Sequence, residues 1–180
     1  MIGAIEALIA DRYTSAGRVV VTGTSFGAIL PGHVMLQRPD LLGVAIYDVG
    51  QPDEIRGSAL DPSAARNIAD LGDMDTAAGI RSLLTASPYH AVPSQVRLPA
   101  VIVHSAADDY NFGTQMLPAK FVARLQAANS GTRPVLWWQT GGGHRNILNL
   151  DPATAATAFA FMLWQTGDAR YQPVARTPVR

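Results

Sequence analysis

Four short apolar runs alternate along this chain with stretches of helical period, and that alternation is its tightest constraint on fold. The runs are "VVVT" at 19–22, "LLGVAIYDVG" at 41–50, "AVIVH" within 99–104 and "PVLWWQT" at 134–140. Continuous runs of this kind suit strands covered on both faces. Strands separated by helix-length segments pair in parallel, because a parallel crossover needs a dozen or more residues. The expectation is an α/β protein with a parallel sheet of about four strands and flanking helices. Helices are predicted over 2–11, from the turn after "VVVT" to about Gln37, over "DTAAGIRSLLTASP", over "MLPAKFVARLQAAN" and over "DPATAATAFAFMLWQT". Asp75 stands near the start of the third, where a carboxylate favours the helix dipole. Asp151 and Pro152 occupy the N-cap and first position of the last. Residues 51–73 are rich in Gly, Pro and Asp and are expected to wander irregularly over one edge of the sheet. Residues 1–167 are read as one domain and 168–180 as a frayed tail.

Composition removes several function classes. A chain of 180 residues, 48% of them hydrophobic, can bury a sizeable core, roughly 70% of its unfolded surface at this size. Fourteen acidic residues balance fourteen basic ones, so no charge footprint points to nucleic acid or an anionic membrane. With no cysteine, disulfides, thiolate metal sites and cysteine nucleophiles are excluded. The start, "MIGAIEALIADRY", lacks a basic region and a cleavage site, so it reads as a helix and not as a signal peptide, with the cytoplasm the expected compartment. No run approaches the roughly 18 apolar residues of a membrane helix.

In open α/β sheets the chemistry gathers beyond the carboxyl ends of the strands. Beyond the first lies Gly-Thr-Ser-Phe-Gly, residues 23–27. It fits a nucleophile elbow that presents Ser25 for attack on an acyl carbon. It also fits an ordinary strand-to-helix turn with Ser25 as a helix cap. Beyond the third strand lie Asp108 and Asp109, either of which could cap the following helix. Beyond the fourth, "QTGGGHRN" places His144 behind three glycines, whose backbone freedom allows a close approach. The order Ser, Asp, His is that of the α/β-hydrolase triad. A serine hydroxyl needs a neutral imidazole to take its proton, and the imidazole needs a carboxylate to fix its tautomer. The predicted catalytic set is therefore Ser25, Asp108 and His144. His104, inside the third strand, reads as a satisfied core residue, and His33 and His90 as structural or surface groups. The histidines lack the spacing of a zinc site, and neither a metal nor another cofactor is expected.

With those residues in place, the chain resembles the C-terminal part of the catalytic domain in the prolyl oligopeptidase family of serine peptidases. The resemblance rests on "YTSAGRVVVTGTSFGAILPGHVMLQRPDLLGVAIYDVG", "SPYHAV", "LPAVIVHSAADDY", "KFVARLQAAN" and "TGGGH", in family order. It implies an α/β-hydrolase-type sheet of which the C-terminal half is present. It also implies cleavage of peptide bonds through an acyl-enzyme on Ser25, with Asp108 (Asp109 as the fallback) and His144 as acid and base. The backbone N–H of Phe26 would be an oxyanion donor, and Phe26, Ile68, Leu71 and Tyr110 would line the substrate pocket. Thr24, Phe26 and Ala28 depart from the usual elbow. Tyr110 and Asn111 stand where proline-specific members carry an arginine that holds the substrate backbone. Two other readings stay open: a catalytically incompetent truncated fragment or a domain that depends on a partner chain, and a carboxylesterase-like hydrolase with the same triad. The implied partners are a peptide or small acyl substrate and, through an exposed sheet edge at "VVVT", another strand or a second copy.

Overall fold

A computed structural model describes residues 1–60, 68–108 and 115–173. The described residues form a four-stranded parallel sheet in the order β1 (Val19–Thr24), β2 (Leu42–Asp48), β3 (Ala100–Ala106) and β4 (Val135–Thr140). The strands run in chain order with a helical segment between each pair, as the alternation predicts. In register, Thr24 stands beside Asp48, and Asp48 beside His104.

Because successive strand residues face opposite ways, each strand feeds two cores. On one face, Val21, Ala45, Tyr47, Val101 and Val103 pack under α1 (Ile2–Ala10), α2 (Ile29–Gln37) and α7 (Met116–Ala128), which contribute Ile5, Met35, Phe121 and Leu125. On the other, Val44, Ile46, Ala100 and Ile102 meet Ile147 and the Ala158 and Met162 side chains of α8 (Pro152–Gln165). Residues such as Met35 and Phe121 are fully buried, each worth about 1.5–3 kcal/mol of apolar burial. Every residue of β2 and β3 is buried.

The outer strands are less covered than their apolar runs alone suggest, and β1 is the sheet edge expected at "VVVT". Along β1 only Val21 is buried, and Thr22 is exposed, because β1 closes one end of the sheet. The 51–73 stretch also holds more structure than expected: α3 (Glu54–Leu60) and α4 (Ile68–Leu71) lie within it. Gly57 and the nearby Pro52 had hidden the helical signal. After α4 come α5 (Ala77–Ala86) and the short α6 (Pro88–Ala91). The cap of α5 is Thr76, whose side chain accepts from Gly79 N–H, with Asp75 directly before it at the helix start. The Asp151 cap holds as expected, its carboxylate accepting from the Ala153 and Thr154 amides. The supposedly frayed tail opens with a 3₁₀ turn at Ala169–Tyr171, capped by Asp168. Among the described residues no helix is long and apolar enough to cross a membrane.

Candidate active site

Beyond β1 the chain turns sharply into a 3₁₀ turn, Ser25–Ala28, that leads directly into α2. Ser25 sits at φ +58°, a left-handed conformation that L-residues adopt rarely and at a cost. It is not the cap of the turn; Thr24 holds that position, without a side-chain capping bond. The strain thus has no capping role to explain it. Gly23 is required by packing: a Cβ there would lie 2.2 Å from the Gly27 carbonyl oxygen and 2.9 Å from Pro31 Cγ. Only a glycine lets the elbow fold back this closely on its own strand. Phe26, the next residue, is 50% exposed at the tip of the turn.

The loop after β4 is held at two points. At its start, Gly142 and Gly143 take positive φ and aim both amides at Asp108, at 3.1 and 2.9 Å from its two carboxylate oxygens. These donors, Gly143 first and Gly142 second, hold the Asp108 carboxyl below the ordinary carboxylate range, so it is ionised at neutral pH. Two residues past half-buried His144, the Asn146 side-chain amide donates to Thr24 Oγ1, one residue before Ser25. The structure therefore joins the Asp108 turn to the glycines that precede His144, and fastens the far side of the His144 loop to the elbow.

Of the remaining predicted residues, Ile68 is 45% exposed and Leu71 is buried at 6%. Asp109 and Tyr110 lie outside the described residues. The histidines set aside are engaged elsewhere. His33 Nε2 meets the Ala86 carbonyl at 3.1 Å, and His90 Nε2 meets Asp53 at 3.2 Å. His104 is buried as expected, yet it is part of a longer polar row. Its Nδ1 meets Asp48 Oδ1 at 2.6 Å and its Nε2 meets Thr140 Oγ1 at 2.7 Å. Asp48 also accepts from Thr24 Oγ1 at 2.8 Å and from the Ile147 amide at 3.2 Å. Sequence reading passed over Thr24, Asp48, Thr140 and Asn146. The available signal was a charged or polar residue interrupting each buried apolar run, as in "AIYD" and "VIVH". Among the described residues no three His, Asp or Glu stand together as metal ligands would.

A strained serine on a tight strand-to-helix turn, with a carboxylate and a histidine loop at neighbouring strand ends of a parallel sheet, is the arrangement of the α/β-hydrolase class. The chain belongs to the prolyl oligopeptidase family, whose pattern it matches over residues 1–169. It is 31% identical over 173 residues to a prolyl endopeptidase of Elizabethkingia meningoseptica, covering 92% of this chain and 24% of that one. It is 32% identical over 129 residues to a prolyl endopeptidase of Dictyostelium discoideum, covering 69% of this chain and 16% of the relative. A solved structure from a study of two prolyl endopeptidases superposes with a TM-score of 0.80 at 28% identity, over 91% of this chain and 24% of that chain. This chain spans about a quarter or less of the length of these relatives.

Proposed function

We propose that this chain carries the nucleophile, acid and base of a serine peptidase. The observation that carries the reading is the elbow: Ser25 at φ +58°, tied through Thr24 and Asn146 to the loop that presents His144. In the proposed reaction Ser25 Oγ attacks the acyl carbon of a peptide bond while His144 takes its proton. Asp108, ionised and fixed by the two glycine amides, faces the imidazolium charge. The Phe26 N–H donates to the oxyanion, which can form beside it because the residue after the nucleophile is the usual donor at such an elbow. The C–N bond then breaks as His144 returns the proton to the leaving amine. Water, deprotonated by His144, releases the acyl group and restores Ser25.

The test is labelling of the purified chain by a fluorophosphonate probe. Labelling should map to Ser25, vanish in Ser25→Ala and fall sharply in His144→Ala. A folded chain that takes no label, or takes it equally in Ser25→Ala, would overturn the assignment. Proline-containing peptides against p-nitrophenyl acetate would then separate a peptidase from an esterase-like hydrolase.

A second reading, a domain that works only when its sheet is extended by another strand, draws on the exposed end of the sheet. Val19 and Val20 of β1 are half-buried, and β1 ends the strand order. Unpaired backbone groups along such an edge invite pairing. Concentration-dependent self-association, or labelling that appears only with a partner segment added, would favour this reading.

A further inference from the structure

The row of polar residues beneath the elbow uses one residue from each strand: Thr24, Asp48 and Thr140 end β1, β2 and β4, and His104 lies two residues before the end of β3. The Asp48 and His104 side chains are both 0% exposed. Such a pair is costly to bury unless every lone pair and proton is satisfied. Here the accounting closes around one carboxylate. Asp48 Oδ2 takes the Thr24 hydroxyl, and Oδ1 takes both the His104 Nδ1 proton and the Ile147 amide. Since Thr24 has spent its proton on Asp48, its oxygen is left to accept from the Asn146 amide, which it does. His104 Nε2 finds the Thr140 hydroxyl.

The connections have a direction. Thr24 precedes Ser25, and Asn146 and Ile147 follow His144 by two and three residues. Asp48 is therefore the point at which the elbow and the histidine loop are tied to one rigid atom group in the centre of the sheet. A second strained residue marks the same place. Val49, next to Asp48, has φ +39°, a conformation that is exceptional for a β-branched residue. Its amide donates to the His104 carbonyl at 3.0 Å. Two adjacent strand ends thus leave the sheet through left-handed, non-glycine residues, Ser25 and Val49, in neighbouring register. Strain of this kind persists only where surrounding contacts over-determine it.

We infer that Asp48 and His104 are positioning residues that hold the Ser25 elbow and the His144 loop in a fixed mutual geometry. His104 fixes the Asp48 carboxylate from the side of β3, and Asp48 distributes that rigidity to both catalytic segments. The inference rests on the proposed role of Ser25 and His144, so two readouts are needed. One is the second-order rate of fluorophosphonate labelling at Ser25; the other is amide hydrogen exchange over 24–28 and 144–148.

Asp48→Asn and Thr24→Val should each slow labelling of the folded protein roughly 10- to 100-fold, the scale set by small misplacements of reacting groups. Both should speed exchange in the two segments together. Thr24→Val keeps the side-chain shape and leaves the Asp48–His104 contact intact, so it carries the test should Asp48→Asn fail to fold. The two substitutions of His104 separate positioning from bulk. His104→Asn keeps an N–H donor near the place of Nδ1 and should label close to the wild-type rate. His104→Gln reaches toward Thr140 instead and should be slow. Equal rates for the two His104 variants, or loosening of one segment alone in Thr24→Val, would overturn the inference. If the unmodified chain takes no label, the hydrolase reading falls and exchange alone decides: joint loosening sustains the tie, and loosening of a single segment defeats it.

Discussion

Asp48 and Glu54 lie six residues apart and are both buried, at 0% and 3% exposure, yet the structure treats them in opposite ways. Asp48 faces three donors, from Thr24, His104 and Ile147. Glu54 accepts from the Gln51 side chain at 3.1 Å, while the Tyr47 hydroxyl and Gln51 Oε1 are buried without partners among the described residues. Burial, helped by nearby Asp53 and only partly opposed by the Gln51 bond, pushes the Glu54 carboxyl up to about 7. The difference shows what a buried acid needs to become a fixed part of a scaffold. A fully satisfied carboxylate ties neighbouring strand ends together, whereas a half-satisfied one leaves a group whose charge depends on pH near neutrality.

Asp48→Ala should have the largest effect. It leaves the Thr24 hydroxyl, the His104 Nδ1 and the Ile147 amide without their shared acceptor. Each buried donor left without an acceptor costs about 1–3 kcal/mol, so the three together should destabilise the chain by about 3 kcal/mol or more, measurable by urea denaturation. A cost below about 1 kcal/mol, the scale of an exposed pair, would mean that the network is not the support inferred here. Glu54→Gln should act with the opposite sign. Between the ordinary value of 4.5 and about 7, the folded chain holds a proton that the unfolded chain has released. The stability tied to that proton is complete below 4.5 and declines as pH rises to about 7. Glutamine cannot ionise, so the variant should lose this decline and exceed the parent by on the order of 2 kcal/mol at pH 8. Denaturation curves at pH 5 and pH 8 for both proteins give the answer. Parallel pH dependences would show that Glu54 ionises freely in the fold.

The same contrast explains how far the sequence could be read. The four strands, the elbow and the Asp151 cap were legible because each depends on neighbours in the chain: an apolar run, Gly23 packed against Gly27, a carboxylate two and three residues before the amides it receives. Ser25, Asp108 and His144 were named as candidates because strand ends collect chemistry in this fold class, and Asp108 accepts from the Gly143 amide next to His144. The cap of α5, Thr76, was not named, because Asp73 and Asp75 beside it blur any local capping pattern. The Asp48–His104 pair was invisible for a different reason. Its members are 56 residues apart, and only the β2–β3 register sets them side by side. His104 could be recognised as a satisfied core residue, but its partner could not be named. The helix at Glu54–Leu60 was missed with it, so the second buried acid was placed in an irregular segment where burial is not expected.

The smallest effect tests the weaker half of the comparison. Tyr47 packs its ring edge-on against Phe121, with centroids 5.3 Å apart at 64°, and that contact survives in phenylalanine. Its hydroxyl is buried with no partner among the described residues, so Tyr47→Phe is expected to remove a desolvated group and no hydrogen bond. Removal of an unsatisfied buried polar group should therefore stabilise the chain by up to about 1 kcal/mol, where deleting a bonded hydroxyl ordinarily costs about that much. Thermal denaturation at pH 5, where Glu54 is protonated, gives the effect of the hydroxyl alone. At pH 8 the ionised Glu54 carboxylate could accept from that hydroxyl after a small side-chain shift, so the gain should shrink or change sign. A loss of stability at both pH values would show that Tyr47 is satisfied after all, and that the two acids differ less than their surroundings indicate.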